Sequence, residues 1–278
     1  MAAKQSIQLG TVQETLLVPL YARAVDSRRK RPVLNDRKAA EMVESIDWDF
    51  QRFNQRWRIA AATLRTAIFD VPVRDFLSRH PAGTVVEIGA GLNTRFERLD
   101  NGTVHWFDLD LPDTVELRRK FFTDSARRVT LAASVVDPGW MAAVRESPGP
   151  HYFVAEAVLV YLTKPEVKAA LAQIAANFSP VSIAFDTATP QVISRQNKDL
   201  ARCKLEGRFT WACEDPREIE RWKIGLRLVE SRTMTDFPGS LRSRLSLSMR
   251  ATFRVLSKLF PKFTKAYRFN VFAGRSEA

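Results

Sequence analysis

The stretch VVEIGAGLNTRFERLD, residues 85–100, governs how the rest of the chain is read. A short β-branched run turns through Gly89 and Gly91 and passes into polar and charged residues, as a buried strand does when it feeds a helix. Glycine takes φ > 0 without penalty, so the turn is either a plain tight connection or a seat for a ligand beyond the strand end. A dinucleotide fingerprint needs a third glycine where Thr94 stands, so that the helix start approaches a pyrophosphate. Thr94 argues against NAD and leaves a nucleoside that lacks the pyrophosphate.

Working outward, strand-like runs alternate with helical patterns. TVVEI (84–88) is followed by TVHWF (103–107), VTLAA (129–133), YFVAEA (152–157) and VSIAFD (181–186), with helices such as DTVELRRKFF and KPEVKAALAQIAANF between them. This alternation predicts an α/β fold with a mostly parallel central sheet. GLRLVESRT (225–233) and AYRFNVFAG (266–274) complete the sheet, with a helical insertion before the last strand. Upstream, residues 35–47 start at a capping Asn or Asp and place Ala39, Met42, Val43 and Ile46 at helical spacing. Residues 52–77 carry Ile59, Ala62, Thr63, Thr66 and Phe69 on a similar stripe, with Pro72 expected to break or restart that helix. The expectation is one domain over 1–278: a helical cap (1–80), a ligand-binding core (81–235), a lid-like insertion (236–264), and the last strand and tail (265–278).

Composition narrows the function classes. A chain of 278 residues, 45% hydrophobic, buries a sizeable core, and its formal charge of +12 attracts anions. No nucleic-acid motif accompanies the basic surplus, so no nucleic-acid partner is expected. Cys203 and Cys213 have neither metal-ligand spacing nor a disulfide framework, and His80, His105 and His151 are scattered. No metal and a reducing cytoplasm are expected. The N-terminus lacks a signal peptide's apolar region and no segment reaches the ~20 apolar residues of a membrane span, so the protein is expected to be soluble.

Ligand-binding side chains belong just past the strand ends. Asp108 and Asp110 lie about twenty residues beyond the glycines, where an acid accepts from ribose hydroxyls. Asp137, in SVVDPGW, is placed to accept from the exocyclic amine of adenine. Glu156 interrupts the apolar run YFVAEAVLVYL, and its burial requires a partner: a backbone amide, an arginine, or a ligand's cation or hydroxyl. Arg65 offers a guanidinium fork, which also matches an α-carboxylate. Together these groups describe a site for S-adenosylmethionine.

These segments carry a family resemblance. VVEIGAGLNTRFERL, WFDLDLP, SVVDPGW and VAEAVLVYLTKPEV, with LLVPLYARAVDSR and LRTAIFD, resemble the leucine carboxyl methyltransferase family, particularly its bacterial branch that tailors polyketides and other natural products. The resemblance implies a Rossmann-like class I methyltransferase fold, S-adenosylmethionine as cofactor and S-adenosylhomocysteine as product. It implies that Arg65 binds the methionine carboxylate, that Glu87, Gly89, Ala90 and Gly91 form the glycine motif, and that Asp110, beside Asp108, binds ribose. Val136 and Asp137 would read adenine, and Glu156 would complete the set. Pro138 departs from the family's apolar residue at that position. Tyr21, Arg23 and Tyr161 fall in family-like segments and are expected on the acceptor side.

Methyl transfer from a sulfonium needs an electron-rich acceptor and good alignment more than acid–base groups. A carboxylate, with pKa about 4, is already ionised, whereas a phenol near about 10 needs a base. No histidine is placed as that base, and neither a divalent-metal acid set nor an Asn-Pro-Pro-aromatic segment is present. The expected acceptor is a small anionic or phenolic metabolite methylated on oxygen. The alternatives are a protein C-terminal carboxylate or a silent cofactor-binding protein. The insertion SLRSRLSLSMRATFRVLSKLFPKF sets Leu241, Leu245, Met249, Phe253, Leu256 and Phe260 on one helical face, with Arg250, Arg254 and Lys258 along another. A lid over the acceptor pocket is preferred to membrane-surface contact by 241–260.

Overall fold

The computed structural model describes residues 5–6, 13–205 and 207–274. The N-terminal stretch in which no signal peptide is expected, apart from Gln5–Ser6, and tail residues 275–278 lie outside them. Among the described residues no helix is long and apolar enough to cross a membrane.

Seven strands form the central sheet: β1 Thr84–Ile88, β2 His105–Asp110, β3 Arg128–Ala132, β4 His151–Ala155, β5 Val181–Ala188, β6 Leu226–Thr233 and β7 Tyr267–Gly274. Their order is β3-β2-β1-β4-β5-β7-β6, with β1 to β5 parallel and β7 antiparallel to both neighbours. All seven predicted strands are present. β2 starts two residues later than the TVHWF pattern suggests because Asn101 Oδ1 accepts from the Thr103 and Val104 amides and holds a turn there.

The cap holds helices α1 Leu17–Ser27 and α2 Arg37–Ser45, and α3 Arg56–Arg79 runs from it onto the sheet. Asp36 caps α2, its carboxylate accepting from the Ala39 amide at 3.0 Å. Within the sheet region follow α4 Arg95–Leu99, α5 Pro112–Arg118, α6 Met141–Arg145 and α7 Lys164–Asn177. The period of two explains the layers. Val85, Trp106, Tyr152 and Val154 pack in one cluster with Leu64, Ile68, Phe69 and Phe76 of α3. Val86, Phe107, Phe153 and Ile183 pack in another with Val167, Leu171 and Ile174 of α7. β1 is buried along its whole length because it sits between two strands and two helices.

Two expectations are corrected. Pro72 neither breaks nor restarts α3, which continues through it to Arg79. Ile68, Phe69, Val71, Val73 and Phe76 are buried on both sides of it, and their packing outweighs the ~3 kcal/mol of an interior proline. The late insertion is not one helix with one apolar face. After α8 Pro190–Arg202 and α9 Glu218–Arg221, it forms α10 Gly239–Arg242, α11 Leu247–Leu259 and α12 Pro261–Thr264. Ser246 caps α11 through the Met249 amide, and Pro261 opens α12. Leu241 and Leu245 are buried and Met249 and Phe253 pack inward, but Phe260 turns out with Leu247, Val255, Leu259 and Phe263.

Candidate active site

The glycine turn is shaped by both of its neighbours. Gly89 and Gly91 have φ of +63° and +48°. A Cβ at Gly89 would meet Val158 Cγ2 at 2.2 Å, so only glycine lets the turn lie against the loop after β4. The Gly89 and Ala90 amides donate to the Leu109 carbonyl at 2.7 and 3.1 Å. From α5, Arg118 donates to the Gly91 and Asn93 carbonyls at 2.6 and 3.0 Å.

Asp108 and Asp110 lie two apart on β2 and have different tasks. Asp110, at the strand end, lines the cavity and accepts from the Gly91 and Leu111 amides at 2.6 and 2.7 Å. Burial pushes its carboxyl up to about 6 against those bonds. Asp108 sits one step deeper, fully buried, paired with Arg118 at 2.8 Å and Arg128 at 2.7 Å. It does not face the cavity; it anchors the arginine that braces the turn.

The start of α4 is closed. Thr94 donates its hydroxyl to Asp36 of the cap and is fully buried, so the short helix faces a carboxylate there. This arrangement opposes a pyrophosphate seat, in line with the reading of Thr94.

Next to the turn lies a buried ion network. Arg95 donates to Asp70 at 2.9 Å, to Glu156 at 2.6 Å and to Glu87. Arg98 also binds Asp70, through Nε at 2.8 Å. Glu87 accepts from Asn93 at 2.7 Å, and burial pushes its carboxyl up to about 7 despite Arg95. Glu87 is therefore part of the support behind the turn and not of the cavity wall. Glu156 accepts from Arg65 Nε at 2.9 Å and the Thr66 hydroxyl at 2.8 Å as well as from Arg95. Burial acts to raise its carboxyl, yet Arg65 and Arg95 hold it below its ordinary value. The partner required for a buried acid at 156 is thus a pair of arginines. Both Arg65 and Glu156 line the cavity, and among the described residues only the Nε of Arg65 is engaged.

The remaining expectations divide. Tyr161 lines the cavity and donates to Thr15 Oγ1 at 2.8 Å, with burial pushing its phenol up to about 12. Arg23 reaches the cavity wall, but its guanidinium is tied to Asp36 at 2.9 Å and the Leu92 carbonyl at 2.7 Å, joining cap to turn. Tyr21 is not brought to the cavity; its ring stacks on Phe50 at 5.6 Å inside the cap. Asp137 is not brought there either. It is exposed and accepts from the Gly139 amide at 3.0 Å, capping the turn that Pro138 begins. Val136 packs against the α7-side core, and the cavity-lining residues of that loop are Ala133, Ser134 and Val135.

Sequence reasoning missed Asp186 and Tyr267. Asp186, fully buried at the end of β5, accepts from the Ala157 amide through both oxygens, at 3.0 and 3.1 Å, and from the Tyr267 hydroxyl. Burial pushes its carboxyl up to about 6 against the nearby Arg65. Ala157 has φ of +55°, a strained conformation for alanine that these bonds hold in place. Tyr267 lines the cavity in front of Asp186. The signal available was an acid ending an apolar strand, as at Glu156. Helix α8 was missed too, although Val192, Arg195, Gln196, Asp199, Leu200 and Cys203 share one face at helical spacing and all line the cavity.

The cavity measures about 750 Å³. It runs from the glycine turn and Asp110, past Arg65 and Glu156, to an apolar wall that includes Leu200, Leu205, Phe209, Phe253 and Leu256.

Similarity to known proteins agrees with this architecture. Residues 17–175 match the family model for leucine carboxyl methyltransferases. The chain is 32% identical to the tetracenomycin polyketide synthesis O-methyltransferase TcmP of Streptomyces glaucescens, over 84% of this chain and 87% of that protein. It is 30% identical to the S-adenosyl-L-methionine-dependent methyltransferase dpfgK of Gibberella zeae, over 82% of this chain and 84% of that protein. In fold it is similar to a DUF574 family protein from Streptomyces avermitilis MA-4680, with a TM-score of 0.60 and 12% identity over 96% of this chain and 100% of that one. The chain belongs to the leucine carboxyl methyltransferase family and is an S-adenosylmethionine-dependent methyltransferase with a Rossmann-like fold.

Proposed function

We propose that the enzyme methylates a carboxylate or phenolic hydroxyl of a small, largely apolar metabolite. The observation that carries this reading is the continuity of one cavity. Its one flank is the strand-end turn Gly89–Gly91 with Asp110, its other flank is apolar, and Arg65 with Glu156 stand between them. The residues fit the cofactor: Gly89 and Gly91 carry no side chain to hold a nucleoside off, a carboxylate waits at the second strand end, and Arg65 has unengaged fork nitrogens among the described residues. In this reading Asp110 accepts from ribose hydroxyls, Arg65 takes the amino-acid carboxylate, and Glu156 holds Arg65 in place.

Bound S-adenosylmethionine supplies a methyl group on a sulfonium sulfur, which an acceptor oxygen displaces in line. The share of the protein is alignment, worth ~7–11 kcal/mol where reactants are well oriented. An acceptor carboxylate attacks as the ion. For a phenol, the Tyr267–Asp186 pair serves as the base: the acceptor O–H passes its proton to Tyr267 as Tyr267 passes its own to Asp186, and the freed oxygen electron pair attacks. The polyketide and O-methyltransferase names of the relative from Streptomyces glaucescens support this acceptor class.

The test is titration calorimetry with S-adenosylhomocysteine and with NAD, followed by transfer of labelled methyl to a panel of carboxylic acids and phenols. S-adenosylhomocysteine binding with label in a small ester or ether is expected. Binding of NAD alone, or label found only on a polypeptide C-terminus, would overturn the reading.

A further inference from the structure

A second concavity, of about 660 Å³, opens between the approach to α3 and the C-terminal half of α8. Arg52 and Arg58 stand on one side of it and Arg195, Arg202 and Lys204 on the other, against two carboxylates, Asp49 and Asp199. Those acids are engaged: Asp199 pairs with Arg202 at 3.0 Å, and Asp49 accepts from the Gln51 amide at 3.1 Å. Among the described residues Arg52, Arg58, Arg195 and Lys204 make no ion pair. The interior behaves differently, since Arg23, Arg65, Arg95, Arg98, Arg118 and Arg128 each meet a carboxylate. Four cations around one concavity that lack a carboxylate partner among the described residues raise its positive potential and favour an anion there.

The arginines are held in place. Arg52 donates to the Cys203 carbonyl and Arg58 to Cys203 Sγ at 2.7 Å. Their guanidinium carbons lie 5.9 Å from the Trp48 ring and 5.6 Å from the Trp57 ring, and that of Arg195 lies 5.8 Å from Phe263. Trp57, Arg58, Arg195, Asp199 and Cys203 line both this concavity and the cavity with the glycine turn, so the basic concavity adjoins the other.

We propose that this adjoining concavity is an oxyanion subsite, which binds a carboxylate or phosphate of the acceptor remote from the atom that is methylated. The proposal rests on the methyltransferase reading above and narrows its acceptor class to molecules with an apolar body and a second anionic group. Arginine forks suit both oxyanions, because each offers paired oxygens to paired N–H donors.

The test follows tryptophan fluorescence, to which Trp57 contributes at the concavity, in the full chain titrated with inorganic phosphate and separately with benzoate at fixed ionic strength. A saturable change is expected. Arg58→Gln with Arg195→Gln should raise its dissociation constant about tenfold or more. Lys30→Gln with Arg31→Gln removes the same charge from the exposed basic run and should shift it by less than about twofold. Saturation by phosphate alone assigns a phosphate on the acceptor or its carrier; saturation by benzoate alone assigns a carboxylate. No saturation by either, or equal weakening by both double variants, overturns the subsite. S-adenosylhomocysteine titration of the same samples separates the two ideas: intact binding there with no saturable anion binding removes the subsite and leaves the methyltransferase reading standing.

Discussion

Arg95 is fully buried and touches Asp70, Glu87 and Glu156 at once. Arg95→Ala leaves three carboxylates without their shared cation and is expected to cost about 3–5 kcal/mol, read as a lower denaturant midpoint. Asp110 carries a pH prediction. Its carboxyl stands at about 6 through burial, and the ionised form is the stronger acceptor for hydroxyls. S-adenosylhomocysteine affinity should therefore fall as pH drops through that value and level off above it, measured by calorimetry from about pH 5 to about pH 8. Glu87 and Asp186 titrate in the same window, so Asp110→Asn is the control: it should bind more weakly and lose the acid limb. At this scale the sequence identified residue types better than their tasks. It named an acid at 108 and at 110, but only the reach of Arg118 and Arg128 makes the first a brace and leaves the second facing the cavity.

The glycine turn is a test at the level of the element. Gly102 also has positive φ, +84°, but nothing lies within 4 Å of a Cβ there, whereas at Gly89 Val158 lies at 2.2 Å. Gly102→Ala should cost about 1–2 kcal/mol in denaturation and leave S-adenosylhomocysteine binding intact. Gly89→Ala should abolish that binding, because the turn must move off the loop that carries Glu156. The strands were legible because β-branched runs bounded by turn residues have few other ways to fold. α3 was legible as a helix but not as a continuous one, since whether a proline interrupts depends on what its flanks bury. The insertion was legible in part for a related reason: Leu241, Leu245, Met249, Phe253 and Leu256 keep the inward face that their spacing predicts, while α11 ends at Leu259 before Pro261 opens α12, and Phe260 at that break turns into solvent, 56% exposed.

At the scale of the whole molecule, the sheet order separates two halves of the cavity. The ends of β1 and β2 lie toward one flank, and the end of β5 with the start of the antiparallel β7 toward the other, with β4 between. Thr252, Phe253 and Leu256 close the second flank, so Phe253→Ala with Leu256→Ala should raise the acceptor KM several-fold and leave S-adenosylhomocysteine affinity nearly unchanged. Equal losses in both would mean that the insertion supports the cofactor half as well. Periodicity, turn chemistry and linked motifs in the sequence were enough to determine the α/β alternation, the glycine turn and the family, because these are local patterns read within one element or between neighbours. Tertiary structure alone decided which acids face the cavity, which arginines brace them, and that α8 and a broken insertion wall its apolar side. Those outcomes depend on distances between residues far apart in the chain, and a side chain two positions along one strand keeps the same face but meets entirely different partners.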